Sequence, residues 1–139
     1  MRQAQSQITV ATAGQGLYEI SDQARAFCSA SGIETGQLTA YCRHTSASLV
    51  IQENADPDVQ RDLLAFFRRL VPDGDPLFVH TIEGPDDMPA HVKSALTQTS
   101  ITIPIVNGEL ALGTWQGVYL FEHRRAAHAR TIVLHVLGA

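Results

Sequence analysis

The chain has 139 residues, enough for one domain around one hydrophobic core. Its net charge of −4 gives no basic field for a phosphate backbone, which excludes general nucleic-acid binding. No apolar run reaches bilayer length and the first residues lack an apolar signal core, so a cytoplasmic protein without a membrane segment is expected.

Residues 6–13 alternate weakly and predict a first strand. Gly14 and Gly16 make a turn, and Leu17 to Ile20 a second short strand. Ser21 is placed to cap a helix over about 22–30, which Gly32 ends. Cys28 shares a face of that helix with Ala24 and Phe27. Gln37–Arg43 and Ala47–Glu53 are the next strands, with His44, Thr45 and Ser46 between them. Cys42 lies in the first of these strands. The two cysteines lack a metal-type spacing and read as buried free thiols.

Asp56-Pro57 opens a helix: the carboxylate accepts from exposed amides, and proline at the first helical position loses nothing by lacking its own. Val59, Leu63, Phe66, Phe67 and Leu70 mark its apolar stripe, and Pro72 stops it. A further helix should open near Pro89, with Asp86 and Asp87 at its start, and run to about Gln98. Ile101, Ile103 and Ile105 share one face of a strand. Asn107-Gly108 is a hairpin turn, since both central residues of such a turn take positive φ.

Glu109 to Glu122 is expected to form one return strand, interrupted by Gly113-Thr-Trp-Gln-Gly117. Glycines inside a strand mark a bulge or a close approach, with Trp115 either a core plug or a ligand platform. Arg130 to Leu137 is the last strand. Ile132, Leu134 and Val136 face one way, Val133 and Leu137 the other, so both faces should be covered. Only 17% of residues are charged, and the second cover is expected to be another subunit. The fold class is α+β: a β-sandwich of two packed, mostly antiparallel sheets with two to three helices, in a single domain over residues 1–139.

Chemistry concentrates in His80-Thr-Ile-Glu-Gly-Pro-Asp-Asp-Met-Pro-Ala-His91, which holds two imidazoles and three carboxylates on irregular backbone. His91 falls in the first turn of the expected helix, where free amides disfavour imidazolium and keep the ring neutral. A neutral imidazole serves as a metal ligand or a general base. His80 and His44 each end an extended run, a common way to bring metal ligands together from distant positions. Glu53 and Asp56 are oxygen donors nearby in sequence, Asp56 also serving as the helix cap. His123 and His128 flank a turn that reads as a solvated loop or an anion-binding edge; His135 reads as a core or interface histidine. The hydroxyls of Thr45, Ser46 and Ser48 lack a nucleophile elbow, and no phosphate-binding or dinucleotide glycine loop is present.

His44-Thr-Ser-Ala, Glu53-Asn-Ala-Asp-Pro57, Asp86-Asp-Met-Pro-Ala-His91 and Gly108-Glu-Leu-Ala-Leu-Gly-Thr-Trp-Gln116 with Glu122 together resemble the YjbQ-like family, also called the secondary thiamine-phosphate synthase family. The resemblance implies a two-sheet α+β subunit assembled as a homotrimer. It implies an activity that joins a hydroxymethylpyrimidine diphosphate to a thiazole phosphate and releases pyrophosphate. It also implies a polar pocket at His44, Glu53, His80, His91, Thr114 and Gln116. The chain departs from the family where Asp-Gly-Pro-Arg commonly follows the glutamate: Glu122 is followed here by His-Arg-Arg-Ala-Ala-His-Ala-Arg130.

Two functional readings follow. The first is an enzyme, a transferase acting on a phosphorylated small molecule at a subunit boundary. His44, Glu53 and His91 are its candidate catalytic groups; Thr45, Asp87, Thr114, Gln116 and Arg130 are its candidate substrate contacts, aided by the helix start at Pro89. His44, His80 and His91 are its candidate ligands for a divalent metal, zinc rather than magnesium because imidazoles outnumber oxygens. The second is a non-catalytic trimeric module that binds a metal or a metabolite.

Overall fold

The computed structural model describes residues 1–139. In chain order the elements are β1 (Arg2–Ala11), β2 (Gly16–Glu19), α1 (Ser21–Ser31), β3 (Thr35–Cys42), β4 (Ala47–Glu53), α2 (Pro57–Leu70), α3 (Asp87–Leu96), β5 (Ser100–Val106), β6 (Glu109–Leu110), β7 (Gln116–Glu122) and β8 (Ala129–Gly138). Every strand pair is antiparallel. One sheet runs β1-β8-β3-β5-β6, the other β2-β7-β4. The α+β class, the two sheets and the three helices agree with the sequence reading.

One cluster of buried side chains joins the two sheets. Leu38, Ala40 and Cys42 of β3, the three isoleucines of β5, and Ile132, Leu134 and Val136 of β8 meet Ala47 and Leu49 of β4 and Val118 and Leu120 of β7. Helix α1 adds Ala24 and Cys28, and both cysteines are buried free thiols. Strand alternation explains this inventory, since every second residue points inward.

The return strand expected over 109–122 is instead two strands in different sheets. Glu109 and Leu110 finish the hairpin with β5, across a turn where Asn107 and Gly108 both have positive φ. The chain then crosses over and enters the second sheet as β7. Gly117 permits the crossing: a Cβ there would lie 2.9 Å from Glu19 Oε2 and 3.1 Å from Asn54 Cβ. Trp115 sits on the crossover and is 62% exposed, so it plugs no core.

Within the single chain, burial on both faces belongs to β7. Val118 and Leu120 enter the core, while Tyr119 and Phe121 turn toward α2. There Phe67 packs edge-on against Phe121 at 5.3 Å, and Gln60 donates to the Tyr119 hydroxyl. The outer face of β8 (Thr131, Val133, His135, Leu137) is half-buried in the single chain.

Helix α2 begins as expected, with Asp56 accepting from Asp58 N at 2.9 Å and Pro57 in its first turn. Its apolar stripe is shallower than expected: Phe66 and Leu70 are exposed and no residue of the helix is fully buried. Ser21 does not cap α1. Its hydroxyl donates to Glu19 at 2.7 Å and accepts from Val118 N, tying the helix start to β7. Gly32 ends α1 in the left-handed conformation, as expected. No helix is long and apolar enough to cross a membrane.

Candidate metal centre and the pocket beside it

Residues 71–86 link α2 to α3 without a helix or strand. Helix α3 opens at Asp87, two residues before the expected start. Neither aspartate caps it. Arg124, in the turn after β7, reaches both: Nε donates to Asp86 Oδ2 at 3.0 Å and Nη1 to Asp87 Oδ1 at 2.9 Å. Its Nη2 donates to the Glu83 carbonyl at 3.0 Å.

The other oxygen of Asp87 collects the two histidines of the loop. His80 Nε2 lies 2.8 Å from Asp87 Oδ2, and His91 Nε2 lies 3.0 Å from the same atom. Glu83 Oε2 is 3.7 Å from His80. Burial alone would push the Asp87 carboxyl up, but the hydrogen bond with His80 and the pull of His91 and Arg124 hold it below the usual range. Spacing explains the pairing of Asp87 with His91: four residues apart on a helix, they share a face. His91 is therefore the fifth residue of α3, beyond the first turn, and its neighbour is a carboxylate rather than the free amides.

His91 is constrained on both ring nitrogens. Its Nδ1 lies 2.8 Å from the Thr45 carbonyl oxygen, which can only accept, so Nδ1 carries hydrogen. In a neutral ring Nε2 is then a bare lone pair facing an ionised carboxylate oxygen. That arrangement needs either a second proton on the ring or a cation between the two atoms. A metal-bound histidine commonly donates its other ring nitrogen to a backbone carbonyl, as Nδ1 does here.

The donor set fits such an ion. His80, Glu83, Asp87 and His91 each offer one ligand atom, all within 4.8 Å of one another. Zinc ligands sit ~2.0–2.2 Å from the ion. His80 Nε2 and His91 Nε2 already lie 2.8 and 3.0 Å from Asp87 Oδ2, and Glu83 Oε2, 3.7 Å from His80, is the donor that would close on the ion. Glu83 is exposed and free to make that movement.

Beside the centre lies a cleft of about 730 Å³ with no carboxylate in its lining. His44, Thr45, Ser46, His91, Ser94 and Arg130 supply its polar wall, and Arg43 its rim. His44 Nε2 accepts from Thr131 N at 2.8 Å, which leaves Nδ1–H as its donor. Burial first, then Arg130, lowers its pKa and keeps the ring neutral.

Arg130 is only 4% exposed. Its Nε donates to Glu122 Oε1 at 2.8 Å, and its Nη2 donates to Glu122 and Ser46. Its Nη1 has no partner within the protein and belongs to a side chain that lines the cleft. A buried guanidinium with one donor group unused is prepared for an anion.

The structure brings together some of the expected residues and separates others. His80 and His91 meet at Asp87 beside Glu83; His44 is outside that group and lines the cleft with His91. Both oxygens of Asp87 are engaged, so it is no open substrate contact. His44, Thr45, His91 and Arg130 share the cleft. Pro89 lies apart, lining a smaller cavity with His80 and Met88.

Glu53, Thr114 and Gln116 stand at the far end of the molecule. Glu53 pairs with Gln116 while Ala47 pairs with Glu122, so six strand steps, about 20 Å, separate the two ends. His123 is no solvated loop residue. It is fully buried against Ser48 at 2.9 Å, and burial, with Lys93 adding, lowers its pKa to about 3. His135 is half-buried and meets Gln3 at 2.9 Å. Arg124 and Arg125 with Arg130 read from the sequence as a basic spot for one small anion, but Arg124 is instead occupied by Asp86, Asp87 and the Glu83 carbonyl. Glu83 carries a spacing signal, three residues after one histidine and eight before the other.

Comparison with known proteins agrees with this fold and adds a family. The family described as UPF0047 protein YjbQ-like matches residues 6–139. A UPF0047 protein of Synechocystis sp. is 54% identical over 137 residues, 99% of this chain and 93% of that protein. YjbQ of Escherichia coli O157:H7 is 37% identical over 135 residues, 96% of this chain and 97% of that protein. A crystal structure of a YjbQ/UPF0047 family protein from Clostridium acetobutylicum superposes with a TM-score of 0.83 at 33% identity, covering 96% of this chain and 99% of that one. A YbjQ-like protein of unknown function from Sulfolobus solfataricus shares the fold alone, with a TM-score of 0.87 at 20% identity over 99% of this chain and 100% of that one. The chain belongs to the UPF0047 YjbQ-like family.

Proposed function

We propose that this member of the UPF0047 YjbQ-like family is a small-molecule enzyme that holds a divalent cation, zinc by its donor set, with His80, Asp87 and His91. Its substrate places a phosphate over Arg130 in the adjoining cleft. The observation that carries the reading is His91: with Nδ1–H given to the Thr45 carbonyl, Nε2 faces Asp87 Oδ2 at 3.0 Å. Two imidazoles favour zinc over the oxygen-seeking magnesium.

A bound ion there would supply positive charge to a phosphate or diphosphate group. The protein's own groups would bind and orient it: Arg130 through its unused Nη1, His44 through Nδ1–H, and the hydroxyls of Thr45 and Ser94. His44, neutral, is the group suited to carry a proton in either direction. The finer proposal is a transferase of the thiamine-phosphate synthase kind, joining hydroxymethylpyrimidine diphosphate to thiazole phosphate. What supports it is the carboxylate-free cleft, since both reactants carry phosphate and the departing diphosphate needs charge neutralisation.

The same reading includes a cytoplasmic homotrimer with its site at the subunit boundary. Glu53, Thr114 and Gln116 stand about 20 Å from the histidines along β4 and β7. A cyclic assembly that sets this end of one subunit against the cleft of the next would reunite them. The half-buried outer face of β8 and the exposed Leu77, Val79 and Ile82 are apolar surface for such contacts to cover.

The second reading is a non-catalytic trimeric module in which the metal, or a metabolite, serves structure or sensing. It is favoured by the position of the ligands, because an ion at His80 and Glu83 would fasten the irregular loop to α3. Metal analysis of purified protein, followed by His80→Ala and His91→Ala, separates the two. The enzyme reading expects one zinc per subunit, lost in both variants together with turnover of phosphorylated substrates, while light scattering still reports three times the subunit mass. Full activity in the variants would sink the site. Loss of the trimer together with the metal would favour the structural reading.

A further inference from the structure

The loop that carries the metal ligands is rich in oxygen acceptors, yet one arginine occupies most of them. Arg124 takes Asp86 Oδ2 with Nε, Asp87 Oδ1 with Nη1 and the Glu83 carbonyl with Nη2. Arg125 N takes Asp86 Oδ2 as well. The guanidinium is largely buried, with 16% of its side chain exposed, and Asp87 is 2% exposed, so neither group reorients freely.

From this geometry we infer that Arg124 is a positioning residue that sets which cation the centre accepts; the inference rests on the metal reading above. Calcium takes six to eight oxygens and favours carboxylates that give both oxygens. Asp87 cannot do so while Oδ1 is held by Arg124. The Glu83 carbonyl and Asp86, which stand next in reach for a cation needing more oxygens, are held by the same fork. What remains is Asp87 Oδ2, two imidazole nitrogens and the mobile end of Glu83. That is a low-coordinate, nitrogen-containing set, suited to zinc and poor for calcium or manganese.

A lysine could not do this. Its ammonium is a point charge on a flexible stem, whereas the planar fork meets three acceptors at once. The positive charge of Arg124 also lies against the carboxylate that a cation must share. It therefore weakens binding of every divalent ion, and weakens most those ions that depend on charge rather than on imidazole nitrogen.

Titration calorimetry on the full chain, with Zn²⁺, Mn²⁺ and Ca²⁺ as the probes, tests this. The wild type should bind Zn²⁺ and show little or no binding of Ca²⁺. In Arg124→Met, the preference for Zn²⁺ over Mn²⁺ and Ca²⁺ should fall by about tenfold or more, the range for loss of a group that orients a ligand. Arg124→Lys keeps the charge without the fork and should lose a smaller part of the preference; it decides the matter should the methionine variant fail to fold. Near-ultraviolet circular dichroism reports whether each variant is native. An unchanged preference in native variants overturns the inference and leaves the metal reading standing. A wild type that binds no divalent ion overturns the metal reading itself, and the inference falls with it.

Discussion

Glu122 and Arg130 form an ion pair buried inside the protein. Glu122 is fully buried and takes Arg130, Thr12 and two backbone amides. Burial alone would raise its pKa, but those hydrogen bonds hold it below the usual range. Removing one partner of such a pair strands a charge, at a cost of about 3–5 kcal/mol. Arg130→Met should therefore lower the stability measured by urea unfolding by that order, besides emptying the floor of the cleft. His123 makes a second prediction. Its folded pKa of about 3 lies below the unfolded value of 6.5, so between the two the unfolded chain binds the extra proton. The stabilisation is complete above pH 6.5 and is lost as pH falls toward 3, by up to ~1.4 kcal/mol per unit. Unfolding free energies of His123→Gln should show a flatter slope between pH 6.5 and 5 than the wild type; an identical slope would remove His123 from the account.

At the scale of elements, the pairing of β3 with β8 depends on two facing glycines. A Cβ on Gly36 would lie 2.1 Å from the Leu137 carbonyl, and one on Gly138 the same distance from the Thr35 carbonyl. Backbone cannot yield as a side-chain tip can. Gly36→Ala should destabilise by at least the 1–3 kcal/mol typical of overpacking, read as a lowered thermal midpoint. Much of this layer was legible in the sequence. Asp56-Pro57 named a helix start, Asn107-Gly108 a hairpin and Ile101-Ile103-Ile105 an inward face, because each rests on local backbone chemistry. The misread elements were decided by distant partners. Ser21 looked like a cap but serves β7; Asp86 and Asp87 looked like caps but serve Arg124; 109–122 looked like one strand but changes sheets at the glycines. The candidate site divided the same way. His80 and His91 lay close in sequence and meet at Asp87. His44 and Glu53 lay nine residues apart, yet a strand runs between them and carries Glu53 to the opposite end.

For the whole molecule, the polarity of the two ends matters more than the shape. The cleft, Arg130 and the histidine group gather where β4 begins and β7 ends, and the tryptophan crossover lies at the other extreme. The chain therefore presents two separate groups of polar side chains, one at each end. Strand order has a different consequence. β8 lies between β1 and β3, so the last strand in the chain order fills an interior place in the larger sheet. During synthesis β1 and β3 must wait, each with an open edge, until Ala129–Gly138 leaves the ribosome. Unpaired edges of this kind invite aggregation, and the pairing of β1 with β8 is about as long-range as this chain permits, which slows closure. Pulse proteolysis should find the chain truncated before residue 129 fully sensitive and the chain through Gly138 protected; equal protection of the truncated chain would remove β8 from this account.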